Sequence, residues 1–113
     1  MAREAAGDET LVVLTTVGST DEAARIAREL VERRLAACVN VLPGVRSIYR
    51  WQGKVEDEAE VLMLTKTTRD RFEALAAAIR ELHSYDVPEI VALPAAAVEA
   101  HYGAWLAGAL RSG

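Results

Sequence analysis

The chain is poor in soft metal ligands: its 113 residues include one cysteine, Cys38, and two histidines, His83 and His101. A lone cysteine excludes an internal disulfide and fits a reducing compartment. Cys-x-x-Cys, His-x-x-x-His and His-Glu patterns are all missing, so one subunit cannot assemble a four-ligand structural site from thiolate and imidazole. Basic clusters are missing too. No run of Lys or Arg exceeds Arg33-Arg34 and the net charge is −4, which argues against nucleic acid or an anionic membrane as partner. Apolar runs such as Leu93 to Val98 fall far short of the roughly 20 residues that span a bilayer. The opening MAREAAGDET holds no apolar core of a signal peptide, so the expected location is the cytoplasm.

What is present is the balance of an ordinary globular protein: 51% hydrophobic residues and 27% charged, in a length suited to one core. Residues 1–9 are expected to form a flexible tail and residues 10–113 a single domain. Thr10 to Val17 is β-branched and apolar almost throughout, as in a central strand. Gly18 breaks it. Ser19 and Glu22 then form a capping box ahead of Ala23, Ile26, Ala27, Leu30 and Val31 at helical spacing, predicting a helix to about Arg34.

Ala37 to Trp51 reads as a strand bent at Pro43-Gly44, and Lys54 to Lys66 as its hairpin partner across Gln52-Gly53. A two-residue loop sets Trp51 opposite Lys54, Tyr49 opposite Glu56 and Ser47 opposite Glu58. Thr67 with Asp70 offers a second capping box for a helix through Phe72, Leu75, Ala76, Ile79 and Leu82, ending at His83-Ser84. Glu89 to Leu93, between two prolines, reads as a fourth strand, and Val98, Tyr102, Trp105, Leu106 and Leu110 as a last helix. The fold class is α+β, in the order strand, helix, strand, strand, helix, strand, helix. Both crossover helices are expected on one sheet face, which leaves the other bare, and hairpin arms of this length are marginal alone. A closed homo-oligomer satisfies both features.

The segments Arg34-Leu-Ala-Ala-Cys38-Val-Asn40, Pro43-Gly44, Ser47-Ile-Tyr49-Arg-Trp51-Gln-Gly53-Lys54, Glu60, Lys66-Thr67 and His83-Ser-Tyr85-Asp-Val-Pro88-Glu89 stand in an order and spacing that resemble the CutA family, the divalent-cation tolerance proteins. The resemblance runs from Leu11 to about Trp105. It implies a ferredoxin-like subunit, a homotrimer whose hairpins pair with neighbouring sheets, a likeness to the trimeric PII signalling proteins, cytoplasmic residence, and an association with copper and other heavy metals. Some relatives carry a cysteine where this chain has Thr15 and a second histidine where it has Leu82. A copper site carried over by residue therefore keeps His83, with Cys38 as a separate candidate.

Each candidate also has a plainer reading. Cys38 lies in an apolar stretch where free cysteine behaves as a small hydrophobe. His83 at a helix end can cap carbonyls as readily as bind metal. Gly18-Ser19-Thr20 is a helix cap and matches no phosphate-loop pattern. The acids Glu56, Asp57, Glu58 and Glu60 suit a solvated or edge-protecting strand face, partly neutralised by Arg46 and Arg50. Tyr49 and Trp51 are expected as trimer contacts. Lys66, Tyr85 and Glu89, with His83, are expected to line a polar cleft between subunits.

No nucleophile with an orienting base is recognisable, so an enzyme is not expected. The leading functional expectation is a trimeric divalent-cation tolerance protein that binds copper(II) or another divalent ion and needs no organic cofactor. The first rival is a PII-like sensor or scaffold holding a small anionic ligand in inter-subunit clefts. The second is a hydrolase or lyase using Lys66, His83 and Glu89.

Overall fold

The computed structural model describes residues 6–111. Strand β1 (Thr10–Val17) leads into helix α1 (Thr20–Glu32); β2 (Cys38–Trp51) and β3 (Lys54–Thr68) form the hairpin; α2 (Phe72–Leu82), β4 (Val91–Pro94) and α3 (Ala100–Leu110) complete the chain. The strands make one antiparallel sheet in the order β2-β3-β1-β4. No helix among the described residues is long and apolar enough to cross a membrane.

Alternation along the strands decides which side is core. Leu11, Val13 and Val17 of β1 and Val61 and Met63 of β3 point to one face and meet Ala23, Ile26 and Leu30 of α1 and Leu75, Ala78 and Ile79 of α2. The two helices therefore share that face, as the strand-helix-strand order predicts. Thr15 and Thr65 point into the same core, and neither hydroxyl finds a partner among the described residues.

The opposite face carries Val12, Leu14, Leu62 and Leu64, half-buried, beside exposed Leu42, Val91 and Leu93. Only α3 covers part of it. Leu106 and Leu110 bury against Ala37, and the Tyr102 ring lies 5.9 Å from the Lys66 ammonium.

The caps divide into those a sequence shows and those it hides. Ser19 Oγ accepts from the Glu22 backbone N–H at 3.1 Å, the expected start of α1. The expected box at Thr67 is not there. β3 stays paired with β1 as far as Thr10 opposite Thr68, so Thr67 remains in the strand and donates its hydroxyl to the Leu35 carbonyl at 2.7 Å. A 3₁₀ turn, Arg69–Arg71, then feeds α2 without a side-chain cap.

The fourth strand also sits later than expected, because Val91–Pro94 is the stretch that pairs with Leu11–Leu14, while Glu89 stays in the preceding loop. α3 begins at Ala100 rather than Val98, capped by the Glu99 carboxylate accepting from the Tyr102 N–H at 2.9 Å. Of the expected tail, residues 1–5 lie outside the described residues. Ala6–Asp8 form a 3₁₀ turn, and Glu9 pairs with Arg69 at 2.8 Å.

The hairpin is the longest feature, with arms of 14 and 15 residues. Its pairing slips between Leu42 and Val45, where Pro43 and Gly44 (φ +85°) form the predicted bulge. The tip is a two-residue loop with Gln52 at φ 50° and Gly53 at φ 80°, the left-handed pair that matches strand twist. The register is the predicted one, with Trp51, Tyr49 and Ser47 opposite Lys54, Glu56 and Glu58.

One set of hydrogen bonds, centred on the buried His83 ring, pins the α2–β4 loop. His83 Nε2–H donates to the Thr16 carbonyl at 2.7 Å, and its Nδ1 accepts from the Tyr85 N–H at 3.0 Å, which assigns the ring proton to Nε2. Glu22 of α1 accepts from the Ser84 N–H at 3.0 Å. Burial raises the Glu22 pKa, but hydrogen bonds from the Ser84 backbone and side chain and the Gly18 backbone outweigh it, holding the carboxyl below its ordinary 4.5.

Two outcomes follow for stability. Gly53→Ala forces a Cβ into the left-handed region with open space around it, and should lower unfolding free energy by about 1 kcal/mol in thermal or denaturant unfolding, with the fold unchanged. A depressed carboxylate stabilises the fold above its unfolded pKa and loses that contribution as pH falls through the folded one. Glu22→Gln should therefore cost about 1 kcal/mol at neutral pH. The gap from the parent should close below pH 4.5, as read from denaturant midpoints across pH.

Candidate functional site

The loop so pinned closes one side of a cavity of about 630 Å³. Its floor is Thr16 at the end of β1; one wall is the far half of the hairpin, with Ser47, Ile48, Tyr49 and Trp51 from β2 and Glu58 and Glu60 from β3; the other wall is Tyr85 to Glu89. Beyond the bulge, alternation carries Ser47, Tyr49 and Trp51 to one face of β2, across the ladder from the row that holds Glu58 and Glu60.

Every ionisable acid or base on the lining at neutral pH is an acid: Glu58, Glu60, Asp86 and Glu89. Glu60 is the deepest at 7% exposed, and its Oε2 accepts from the Tyr85 hydroxyl at 2.7 Å. Burial and the adjoining Glu60 raise the Tyr85 phenol pKa far above its ordinary value, so it stays a donor. Tyr49 donates to Glu58 at 3.3 Å, and its pKa is likewise raised, by desolvation and by the Glu58 charge. Outside the cavity, Arg46 clamps Asp57 with two bonds of 2.8 and 2.7 Å, so the expected ion pairing on the hairpin is made by Arg46.

The candidates named from sequence are dispersed. Tyr85 and Glu89 line the cavity together with Tyr49 and Trp51. Lys66 does not join them within one chain. It lies at the other end of β3, its ammonium 2.8 Å from Asn40 Oδ1 and above the Tyr102 ring, so Lys66, His83 and Glu89 form no acid–base trio in a single subunit.

His83 sits beneath the cavity wall with both ring nitrogens already bonded inside the chain, which leaves no lone pair for a metal ion in this arrangement. Cys38 is partly buried opposite Lys66, with Asn40 Oδ1 4.0 Å from its sulfur. The strand carries it about 13 Å from the level of Thr16, four residues at ~3.3 Å each, so thiol and imidazole do not converge. Among the described residues no three His, Cys, Asp or Glu side chains gather as a metal site requires. The residues of one chain therefore do not fit a resident soft-metal centre.

Sequence reasoning assigned Glu58 and Glu60 to a solvated strand face and missed Glu60 as a buried wall. The available signal was parity: Glu60 continues the row of Leu62 and Leu64, an acid where the pattern calls for an apolar side chain.

The chain matches the family model described as CutA1 divalent ion tolerance protein over residues 11–109. It is 55% identical over 95 residues to the divalent-cation tolerance protein CutA of Thermus thermophilus, covering 84% of this chain and 92% of that one. It is 42% identical to the protein of the same name from Pectobacterium atrosepticum, covering 91% and 94%. The crystal structure of CutA1 from Oryza sativa superposes with a TM-score of 0.89 at 37% identity, covering 96% of this chain and all of that one. With the family profile, the relatives and the solved fold in agreement, the chain belongs to the CutA1 family of divalent ion tolerance proteins.

Proposed function

We propose that the protein works as a PII-like homotrimer of ferredoxin-like subunits that contributes to tolerance of divalent cations, copper(II) first among them. The observation that carries this reading is the uncovered apolar surface. Ile48 and Val55 on the hairpin are each 65% exposed, and Val91 and Leu93 at the sheet edge are 48% and 49% exposed. Apolar area removed from water contributes about 25 cal/mol per Å², so hairpins and open faces from neighbouring copies stabilise one another on contact. Tyr49 and Trp51, exposed on the other face of the same ribbon, serve as the aromatic anchors of that contact.

Metal association, in this reading, is weak or shared between copies. With His83 engaged, Cys38 is the soft ligand left on the open face, and carboxylates supply the rest. The rival reading of an anionic ligand finds no support in the cavity of one chain, where four carboxylates would repel it. An anion would need a basic group from a neighbour, and Lys66 is the candidate.

Light scattering on the purified protein should give three times the 12.2 kDa of one chain. Trp51→Asp, placing a charge at the anchor, should shift that mass toward the single chain; an unshifted mass would take Trp51 out of the contact. Calorimetric titration of the metal-free protein with copper(II) should show saturable binding weakened about tenfold or more by Cys38→Ser. Identical isotherms for parent and variant would remove Cys38 from the metal site.

A further inference from the structure

We propose that each cavity is completed by the next copy of the chain, with the ammonium of Lys66 of the partner subunit entering it to pair with Glu89. The contact presupposes the homo-oligomer proposed above, and it sets the direction in which the copies join.

Lys66 is a cation without an acid. It stands in line with Cys38, Val12 and Leu93 across the ladder, on the sheet face that α1 and α2 leave open. It is half-buried there, its ammonium bonded to the neutral Asn40 amide and lying over the Tyr102 ring, and no carboxylate pairs with it among the described residues. Leu93 in the same line is 49% exposed, so a neighbour that covers this apolar strip takes the ammonium further out of water. An ammonium desolvated in that way is stabilised by a carboxylate, and its own chain supplies none.

The cavity is the converse, a group of acids without a base. Glu58 and Glu60 already accept from Tyr49 and Tyr85, whereas Asp86 and Glu89 are exposed and have no side-chain hydrogen bond or ion pair among the described residues. Glu89 lies two residues before Val91, the exposed start of β4, so a copy laid over that open edge brings its own groups to Glu89. Asp86 lies further back along the loop.

Lys66 cannot serve its own cavity. It pairs with Val12, four residues or about 13 Å along β1 from Thr16 on the cavity floor, which is beyond the reach of a lysine side chain. Identical chains in a closed ring of three meet head to tail, so one surface of each fits a different surface of the next. A lone cation at one end of the open face and unpaired acids at the other are such a pair of surfaces, and their opposite charge fixes the register of the contact.

The test is a charge exchange on the full-length protein. Light scattering in rising urea reads the concentration at which the three-chain mass is lost, for the parent, Lys66→Glu, Glu89→Lys and the double variant. Each single reversal should lower that midpoint by about 1 M or more. The double variant, which restores opposite charges between copies, should recover most of the loss. Lys66→Met and Glu89→Gln serve if a reversal fails to fold, and their double variant should then be no weaker than the weaker single one. A parent of single-chain mass would overturn the oligomer reading and this contact together. A three-chain parent whose midpoint is unmoved by either single change, or whose losses add in the double variant, would overturn the Lys66–Glu89 contact alone.

Discussion

The hydrogen bond from His83 to the Thr16 carbonyl joins the end of α2 to the end of β1 inside a region from which water is excluded. A buried carbonyl at a strand end needs a donor, and the ring that supplies it must then satisfy its second nitrogen, which it does from the Tyr85 N–H. That second bond turns the chain so that the Tyr85 hydroxyl reaches Glu60 on β3. Glu22 of α1 takes the Ser84 N–H in between. Three elements and a loop are thus tied through one imidazole, and the cavity wall from Tyr85 to Glu89 depends on it. The same economy explains why the histidine is unsuited to a metal in this arrangement.

A second constraint acts on the far side of the sheet. Two crossover helices cover one face, and α3 reaches only the end near Ala37 and Lys66. Leu42 of β2, Leu62 and Leu64 of β3, Val12 and Leu14 of β1, and Val91 and Leu93 of β4 remain as an apolar patch on that face, next to a hairpin whose arms extend beyond the domain body. The extents of the molecule, 51 × 29 × 23 Å, show how far that ribbon reaches. A ribbon of two strands has little to hold its apolar side chains from water, so its sequence makes sense beside another copy.

Much of this was legible beforehand because it is local. The α1 cap follows from Ser19 and Glu22, the hairpin register from Gln52-Gly53, and the bulge from Pro43-Gly44, each a matter of a few adjacent residues. The failures share a cause. Thr67 with Asp70 has the spacing of a cap, yet pairing with β1 keeps Thr67 in the strand, and that pairing is made across more than fifty residues of chain. Glu89 reads as strand until the register with Leu11–Leu14 selects Val91–Pro94 instead. The Glu99 cap went unseen because glutamate rarely takes that role.

The amino-acid order alone established the fold class, the succession of elements, the absence of sequence motifs for soft-metal or phosphate chemistry, and the family likeness. Those properties rest on periodicity, turn residues and residue spacing, which act over a few positions. Which side chains meet was settled in three dimensions. Lys66 and Glu89 are brought to opposite ends of the sheet, His83 is consumed by its own backbone contacts, and Glu60 is carried from a row of surface acids into a cavity wall. Strand register and loop closure make those assignments, and both depend on partners distant in the chain.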